Sequence, residues 1–509
     1  MRRRRRSGWN HLAGSRLAGP ALGSLRTLGE QALSRAAGAP LVPGNRVRLL
    51  RDATENYPAW LAAIERACRT VQLETYIFAD DAVGNRFADA LVACARRGVR
   101  VRVLHDWFGD RGEAGRRFWR RLESAGVEVR AFNPFRFDAP LAWLRRDHRK
   151  SLVVDGRIGF VTGLCIAARW EGAPDRGVPP WRDTGVEIEG PAVGDLVAAF
   201  AAVWADAGSP LPPDDLSVST GGAPAGEVAL RVVATEPATA GLYRLDQLVA
   251  ALARRRLWIT DAYFIGVPSY AQALRAAAGD GVDVRLLVPG TSDLGIVKRL
   301  GVAGYRPLLE SGVRVFEWNG PMLHAKTAVA DGRWARVGSS NLNVASWMGN
   351  WELDVAVEDA GFARELESVF EEDLRNATEI VLGATRGLRA HAPEHPASGR
   401  REREGSAVAA AGALRLGSAV GAALGGRRVL GPADGDVLAW AGVALLCAAL
   451  VAALFPRAVL VPVIAVQVWF GATLVARAIR MRRRRERTEA PDGDVAGGSR
   501  PEDGGAAGR

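Results

Sequence analysis

His148-Arg-Lys150-Ser-Leu-Val-Val-Asp155 and, further along the chain, His324-Ala-Lys326-Thr-Ala-Val-Ala-Asp331 are two copies of one pattern, His-x-Lys followed after four residues by Asp. The chain has six histidines and only three lysines, Lys150, Lys298 and Lys326. A chance occurrence is expected on the order of a few times in a thousand such chains, so a matched pair is not coincidence. The apolar run inside each copy reads as a strand, and residues two apart on a strand project from one face. Each copy therefore presents an imidazole beside an ammonium. That pairing suits a phosphodiester, because the lysine neutralises non-bridging oxygens while a neutral imidazole attacks phosphorus in line. A lone strand histidine is more often a core residue; the duplicated His-Lys pair reverses that judgement.

Working outward, the flanking sequence repeats as well. Val71-Gln-Leu-Glu-Thr-Tyr76-Ile-Phe leads through a helical stretch to Arg97-Gly98-Val-Arg-Val-Arg-Val103, and Leu257-Trp-Ile-Thr-Asp-Ala-Tyr263-Phe leads through another to Asp280-Gly281-Val-Asp-Val-Arg-Leu. Ser124-Ala-Gly126-Val-Glu-Val129 likewise matches Glu310-Ser-Gly312-Val-Arg-Val315. Strand, helix, strand, helix, strand in each copy predicts an α/β sandwich around a mixed sheet. The repeat is a whole domain, far longer than a solenoid unit. A boundary is expected in the Gly/Pro/Ser-rich stretch from Gly208 to Gly226.

Composition narrows the function classes. The 509 residues are too many for one ordinary core, and 48% apolar content is enough for two. Lys plus Arg number 67 against 56 Asp plus Glu, for a net charge of +11, almost all of it arginine. Such a balance points only weakly to a polyanion or an anionic membrane. Cys68, Cys94, Cys165 and Cys447 lack metal-ligand or paired spacing, which argues against a zinc site and a disulfide framework and fits a cytoplasm-facing domain.

The ends read as membrane equipment. Arg2 to Arg6 are not followed by an apolar run or a cleavage site, so they do not open a secretory signal. Residues Trp9 to Ala37 fit either an interfacial helix on anionic lipid or a disordered basic arm. Val437 to Phe455 and Ala458 to Ala476 are uncharged apolar runs separated by Pro456 and Arg457, each long enough to cross a bilayer. Arg427 and Arg428 before them and Arg482 to Arg485 after them predict a hairpin with both flanks in the cytoplasm. The expected divisions are a basic arm over 1–43, α/β domains over 44–215 and 216–385, and a linker with a candidate interfacial helix over 386–436. A transmembrane hairpin over 437–480 and a disordered tail over 481–509 follow.

The two motifs, with Gly338-Ser339-Ser340-Asn341 and Trp181-Arg-Asp183-Thr, resemble the phospholipase D superfamily. The fuller similarity is to bacterial cardiolipin synthases, through Leu73-Glu-Thr-Tyr76-Ile, Asp106-Trp-Phe-Gly109 and Ile188-Glu-Gly-Pro191-Ala-Val. The resemblance implies two tandem phospholipase-D-like domains related by a pseudo-twofold. It also implies a phosphatidyltransferase joining two phosphatidylglycerols through a phosphohistidine, with phosphatidylethanolamine left open as an alternative lipid substrate. The motif residues His148, Lys150, Asp155, His324, Lys326 and Asp331 form the catalytic set. His148 is the nucleophile and His324 the general acid and base, while Asp155 and Asp331 are expected to brace the backbone rather than touch substrate. Asp183 and Glu352 stand where acids orient the histidines, and Ser339 and Asn341 where donors hold phosphate. The implied partners are phospholipid and an anionic membrane surface, at the bacterial inner membrane, with no cofactor, metal or nucleic acid. A headgroup hydrolase shares the same residues. A nuclease of the superfamily has no need of a membrane hairpin. The first copy departs from the family pattern, with Thr162 for a usual Gly, Cys165 for a usual Asn and Gly185 for a usual His.

Overall fold

The computed structural model describes residues 20–136, 144–216, 222–293, 295–382 and 388–391, with scattered positions between 443 and 475. Seven strands come from the first half: β1 (Val42–Arg51), β2 (Thr70–Thr75), β3 (Arg100–Asp106), β4 (Glu128–Phe132), β5 (Ser151–Val154), β6 (Ile158–Thr162) and β7 (Thr184–Glu189). Seven equivalents come from the second: β8 (Val228–Thr235), β9 (Arg256–Thr260), β10 (Asp283–Pro289), β11 (Arg314–Trp318), β12 (Thr327–Ala330), β13 (Trp334–Gly338) and β14 (Glu352–Glu358). Two further strands, β15 (Ala377–Leu382) and β16 (Leu388–His391), extend the second half.

The order within the first half is β1-β7-β6-β5-β2-β3-β4, and within the second β8-β14-β13-β12-β9-β10-β11. The duplication seen in the sequence is thus a duplication of topology. β1 pairs antiparallel with β8, so the halves meet at their first strands and form one mixed sheet. Within each half three strands are parallel and linked by helices, while the motif strand runs antiparallel to them. Glu74 pairs with Ser151 and Thr260 with Thr327, so each His-x-Lys lies at the edge where the parallel strands end.

Local chemistry explains the elements. Asp81 caps the helix Ala82–Arg96 by accepting from Gly84 N at 2.9 Å, and Asp359 caps Ala360–Arg375 by accepting from Phe362 N at 2.8 Å. The first of these ends at Gly98 (φ +88°), and its counterpart in the second half, the helix Pro268–Gly279, at Gly281 (φ +91°), the left-handed step that turns the chain into β3 and β10. Buried strand residues of both halves, among them Val186, Ile188, Leu230, Val232 and Val355, share one apolar core with the helices Val193–Asp206 and Ala360–Arg375. The outer face of each half has its own core.

Two expectations at the ends meet the structure differently. Residues Pro20–Ala37 form a helix whose end docks on the second half: Ala37 and Ala39 join its core, and Arg231 and Arg244 reach the carbonyls of Glu30 and Ala36. The predicted hairpin over 437–480 lies largely outside the described residues. Its described positions are helical, and Leu446, Leu454, Val461 and Val468 among them are exposed. Among the described residues no helix is long and apolar enough to cross a membrane.

Candidate active site

Each motif opens with a segment that leaves its own half and pairs with the other. His148 N donates to Trp351 O (2.9 Å), and Trp351 N donates to Arg146 O (2.8 Å). In the same way His324 N donates to Arg182 O (2.7 Å), and Arg182 N to Met322 O (2.9 Å). These short parallel bridges place the residue after Trp351 beside His148 and the residue after Arg182 beside His324.

Those residues are the two acids. His148 Nδ1 lies 2.9 and 3.0 Å from the Glu352 oxygens, and His324 Nδ1 lies 2.7 Å from Asp183 Oδ2. Each histidine is therefore held by a carboxylate of the opposite half. With Nδ1–H donated to the acid, Nε2 is left with its lone pair. The histidine side chains are 12% and 6% exposed, respectively.

The lysines lie on the same strand faces. Lys150 Nζ donates to His148 O (2.5 Å), and Lys326 Nζ donates to His324 O and lies 3.0 Å from His324 Nδ1. Tyr76 and Tyr263 present ring faces to the two ammonium groups. Each histidine also feels the ammonium of the other half's lysine, so the two motifs share one electrostatic site.

Charge states follow from burial and these neighbours. Burial lowers His148 to about 4, and Lys150 adds to the shift while Glu352 opposes it. Burial and then Lys326 lower His324 to about 3 against the pull of Asp183. Both imidazoles are thus neutral at neutral pH. Burial brings Lys326 down to about 8. Burial alone would raise Asp183 and Glu352, but contact with the histidines and the nearby ammonium groups holds both below their usual range, so both stay ionised.

The remaining predicted residues separate into those at the site and those away from it. Ser339 Oγ donates to Glu352 Oε2 (2.6 Å) and accepts from Leu353 N (2.9 Å), so its hydroxyl proton is committed to the acid rather than to a phosphate. Asn341 is buried, and its Oδ1 has no hydrogen-bond partner among the described residues. Asp155 and Asp331 stand at the far ends of β5 and β12 from the histidines. Each follows its strand with φ +54°, precedes a glycine with φ +63°, and forms the Asp-Gly corner of a hairpin. The Asp155 carboxylate accepts from the backbone N–H of Cys68, Arg69 and Thr70, and that of Asp331 from Arg254, Arg255 and Arg256, at 2.7–3.0 Å.

Some site residues escaped the sequence. Trp170 Nε1 donates to Asp183 Oδ2 (3.0 Å), and its ring meets His324 edge-on. Arg149, fully buried, donates to Glu352 O (3.0 Å), Thr235 O (3.3 Å) and Ala199 O (2.8 Å), tying the first motif to the second half. Arg182 binds Asp373 (2.8 Å) and Asp52 (3.1 Å). The departures at Thr162 and Gly185 are direct partners across β6 and β7. A Cβ on Gly185 would run into Asn56 Oδ1 and lie 2.9 Å from Thr162 Oγ1, so the threonine takes room a larger residue would need.

Comparison with known proteins gives the family. The model for "Cardiolipin synthase, PLD-like domain" matches residues 60–169 and 249–374, one stretch around each motif. Cardiolipin synthase A of Pseudomonas aeruginosa is 35% identical over 371 residues, covering 71% of this chain and 73% of that one. The chain belongs to the cardiolipin synthase, phospholipase-D-like family. It is thereby an enzyme of the phosphatidyltransferase branch of the phospholipase D superfamily. Cardiolipin synthase 1 of Bacillus anthracis, another family member, is 31% identical over 375 residues, covering 70% of this chain and 71% of its own. The fold is shared with the crystal structure of phosphatidylserine synthase from Haemophilus influenzae Rd KW20, at a TM-score of 0.54 and 14% identity over 69% of this chain and 91% of that one.

Proposed function

We propose that this enzyme moves a phosphatidyl group from one phosphatidylglycerol to a hydroxyl of a second, making cardiolipin and releasing glycerol through a phosphohistidine. The observation that carries the reading is the crosswise pairing of two neutral imidazoles with opposite-half carboxylates, each beside a lysine. The names of the 31–35% identical relatives supply the substrate class.

In the first step His148 Nε2 attacks phosphorus, the P–O bond to glycerol breaks, and His324 protonates the leaving oxygen. His324 is neutral in the empty site, and the anionic phosphodiester provides the counter-charge that lets it carry that proton. In the second step a hydroxyl of the second lipid gives its proton to His324 and attacks phosphorus, freeing His148. Lys150 and Lys326 hold the non-bridging oxygens and Asn341 completes the phosphate contacts. Glu352 and Asp183 keep each imidazole in its reactive tautomer. Ser339 acts through Glu352. Asp155 and Asp331 hold the hairpins.

The domain divisions and the membrane hairpin at 437–480 belong to the same proposal. The apolar runs anchor the chain in the inner membrane, and the flanking arginines keep the catalytic halves on the cytoplasmic side. The test is incubation of purified protein with phosphatidylglycerol vesicles, with and without phosphatidylethanolamine, and product analysis by mass spectrometry. Cardiolipin and glycerol are expected. Phosphatidic acid alone, at any glycerol concentration, would replace the transferase reading with hydrolysis.

A further inference from the structure

The surroundings of the two histidines differ in a way the shared chemistry does not require. Among the described residues, His148 meets one ring, Tyr76, at 5.0 Å between centroids. His324 meets three: Trp170 at 5.3 Å, Tyr263 at 5.8 Å and Trp181 at 5.9 Å. Trp170 and Trp181 touch each other at 4.7 Å, and the Arg169 guanidinium lies over both rings. Trp170 is buried and its N–H is committed to Asp183, whereas Trp181 is half-buried. The first half has buried Cys165, near Lys326, where the second half has Asn341. The wall continues at Tyr263 into a concavity lined by Phe264, Val288, Pro289, Ser292, Gly301 and Tyr305.

We propose that this aromatic wall is the acceptor subsite, fitted to a lipid-borne polyol rather than to water, with Trp181 as its specificity-determining residue. The inference rests on the phosphatidyl-transfer reading above. In the second step the acceptor gives its proton to His324 Nε2 and its oxygen bonds to phosphorus. The P–N bond breaks and its electron pair returns to His148. Water could do the same, but a water poised at Nε2 needs two to four polar partners, which ring faces do not offer. A glycerol headgroup lays its C–H groups on the half-buried rings of Trp181 and Tyr263 and brings its hydroxyl to Nε2. The wall therefore favours transfer over hydrolysis by excluding the smaller nucleophile.

The experiment is the product ratio, cardiolipin to phosphatidic acid, from phosphatidylglycerol vesicles for wild type, Trp181→Phe and Trp181→Ala. Trp181→Ala is expected to lower the ratio by about tenfold whatever the change in total phosphatidylglycerol consumption, and Trp181→Phe to keep most of the wild-type ratio. Trp181→Leu gives the same reading if the alanine variant does not fold, since it keeps apolar bulk without a ring. A folded Trp181→Ala or Trp181→Leu variant that consumes lipid at the wild-type product ratio would overturn the subsite. Wild type yielding only phosphatidic acid would instead overturn the transfer reading itself.

Discussion

The two halves share a seven-strand order and a His-x-Lys at the same sheet edge, yet they brace their acids by different means. In the second half Ser339 supplies a hydroxyl to Glu352. In the first half the equivalent Gly163 leaves room that Asp183 fills, since a Cβ there would overlap Asp183 Oδ1, and the donor comes from Trp170. One step back along the strand the contrast inverts. Gly338 faces Asp354, whereas Thr162 faces Gly185. The comparison teaches that duplication preserved the charge pattern at each histidine and let the supporting residues diverge. The halves share a charge pattern and differ in the residues that support it.

The hardest way to break that equality is to remove one histidine. His148→Asn and His324→Asn should each lower turnover by about 10⁴-fold or more, and the double variant should be no worse than either, because the two act as one unit. A single variant with most of its activity would take that histidine out of the mechanism. Next come the acids. Asp183→Asn and Glu352→Gln should each cost on the order of 10³-fold or more in kcat by disturbing the tautomer, with circular dichroism unchanged. Crosswise bracing predicts that Asp183→Asn alters the titration of His324 by NMR and leaves that of His148 nearly in place.

The donors sharpen the asymmetry further. Asn341→Cys should lose about 10²-fold, the usual effect of deleting one preorganised donor, while Cys165→Asn should change kcat less than about threefold. Equal effects would mean that the halves hold phosphate alike. The alkaline limb of kcat/KM should fall as pH rises through about 8, because Lys326 is cationic below its lowered pKa and neutral above it. Lys326→Arg should carry that limb well above pH 9 even at reduced rate. The smallest effect is structural. Gly185→Ala should destabilise by about 1–3 kcal/mol through overlap with Asn56, measured by thermal unfolding, with little change in the pH profile.

Much of the site was legible in the chain. The paired motifs, the tandem α/β halves and the candidate acids Asp183 and Glu352 follow from spacing and resemblance, because strand periodicity puts His and Lys on one face without help from tertiary structure. That Asp155 and Asp331 turn an Asp-Gly hairpin corner was not read from the chain, although that dipeptide prefers a tight hairpin turn. Which acid serves which histidine was not. Asp183 lies on the same half as His148 but reaches His324, and only the parallel bridges at Trp351 and Arg182 reveal the crossing. Ser339 stood beside Asn341 as a phosphate donor, yet its hydroxyl goes to Glu352, a choice set by β13 and β14 lying side by side. The stretch that holds the helix Pro20–Ala37 read as either an interfacial helix or a disordered basic arm, because its docking on the second half depends on residues far along the chain, Arg231 and Arg244.

The central claim is that two halves supply one covalent-catalysis unit, with His148 attacking and His324 handling protons. It is tested most directly with a phosphatidyl ester of p-nitrophenol, whose leaving group needs no acid. His324→Asn should release p-nitrophenol in one stoichiometric burst and then stall, with an acid-labile phosphatidyl adduct on the peptide that contains His148. His148→Asn should give no burst. A burst from His148→Asn, or an adduct mapped to another residue, would contradict the account.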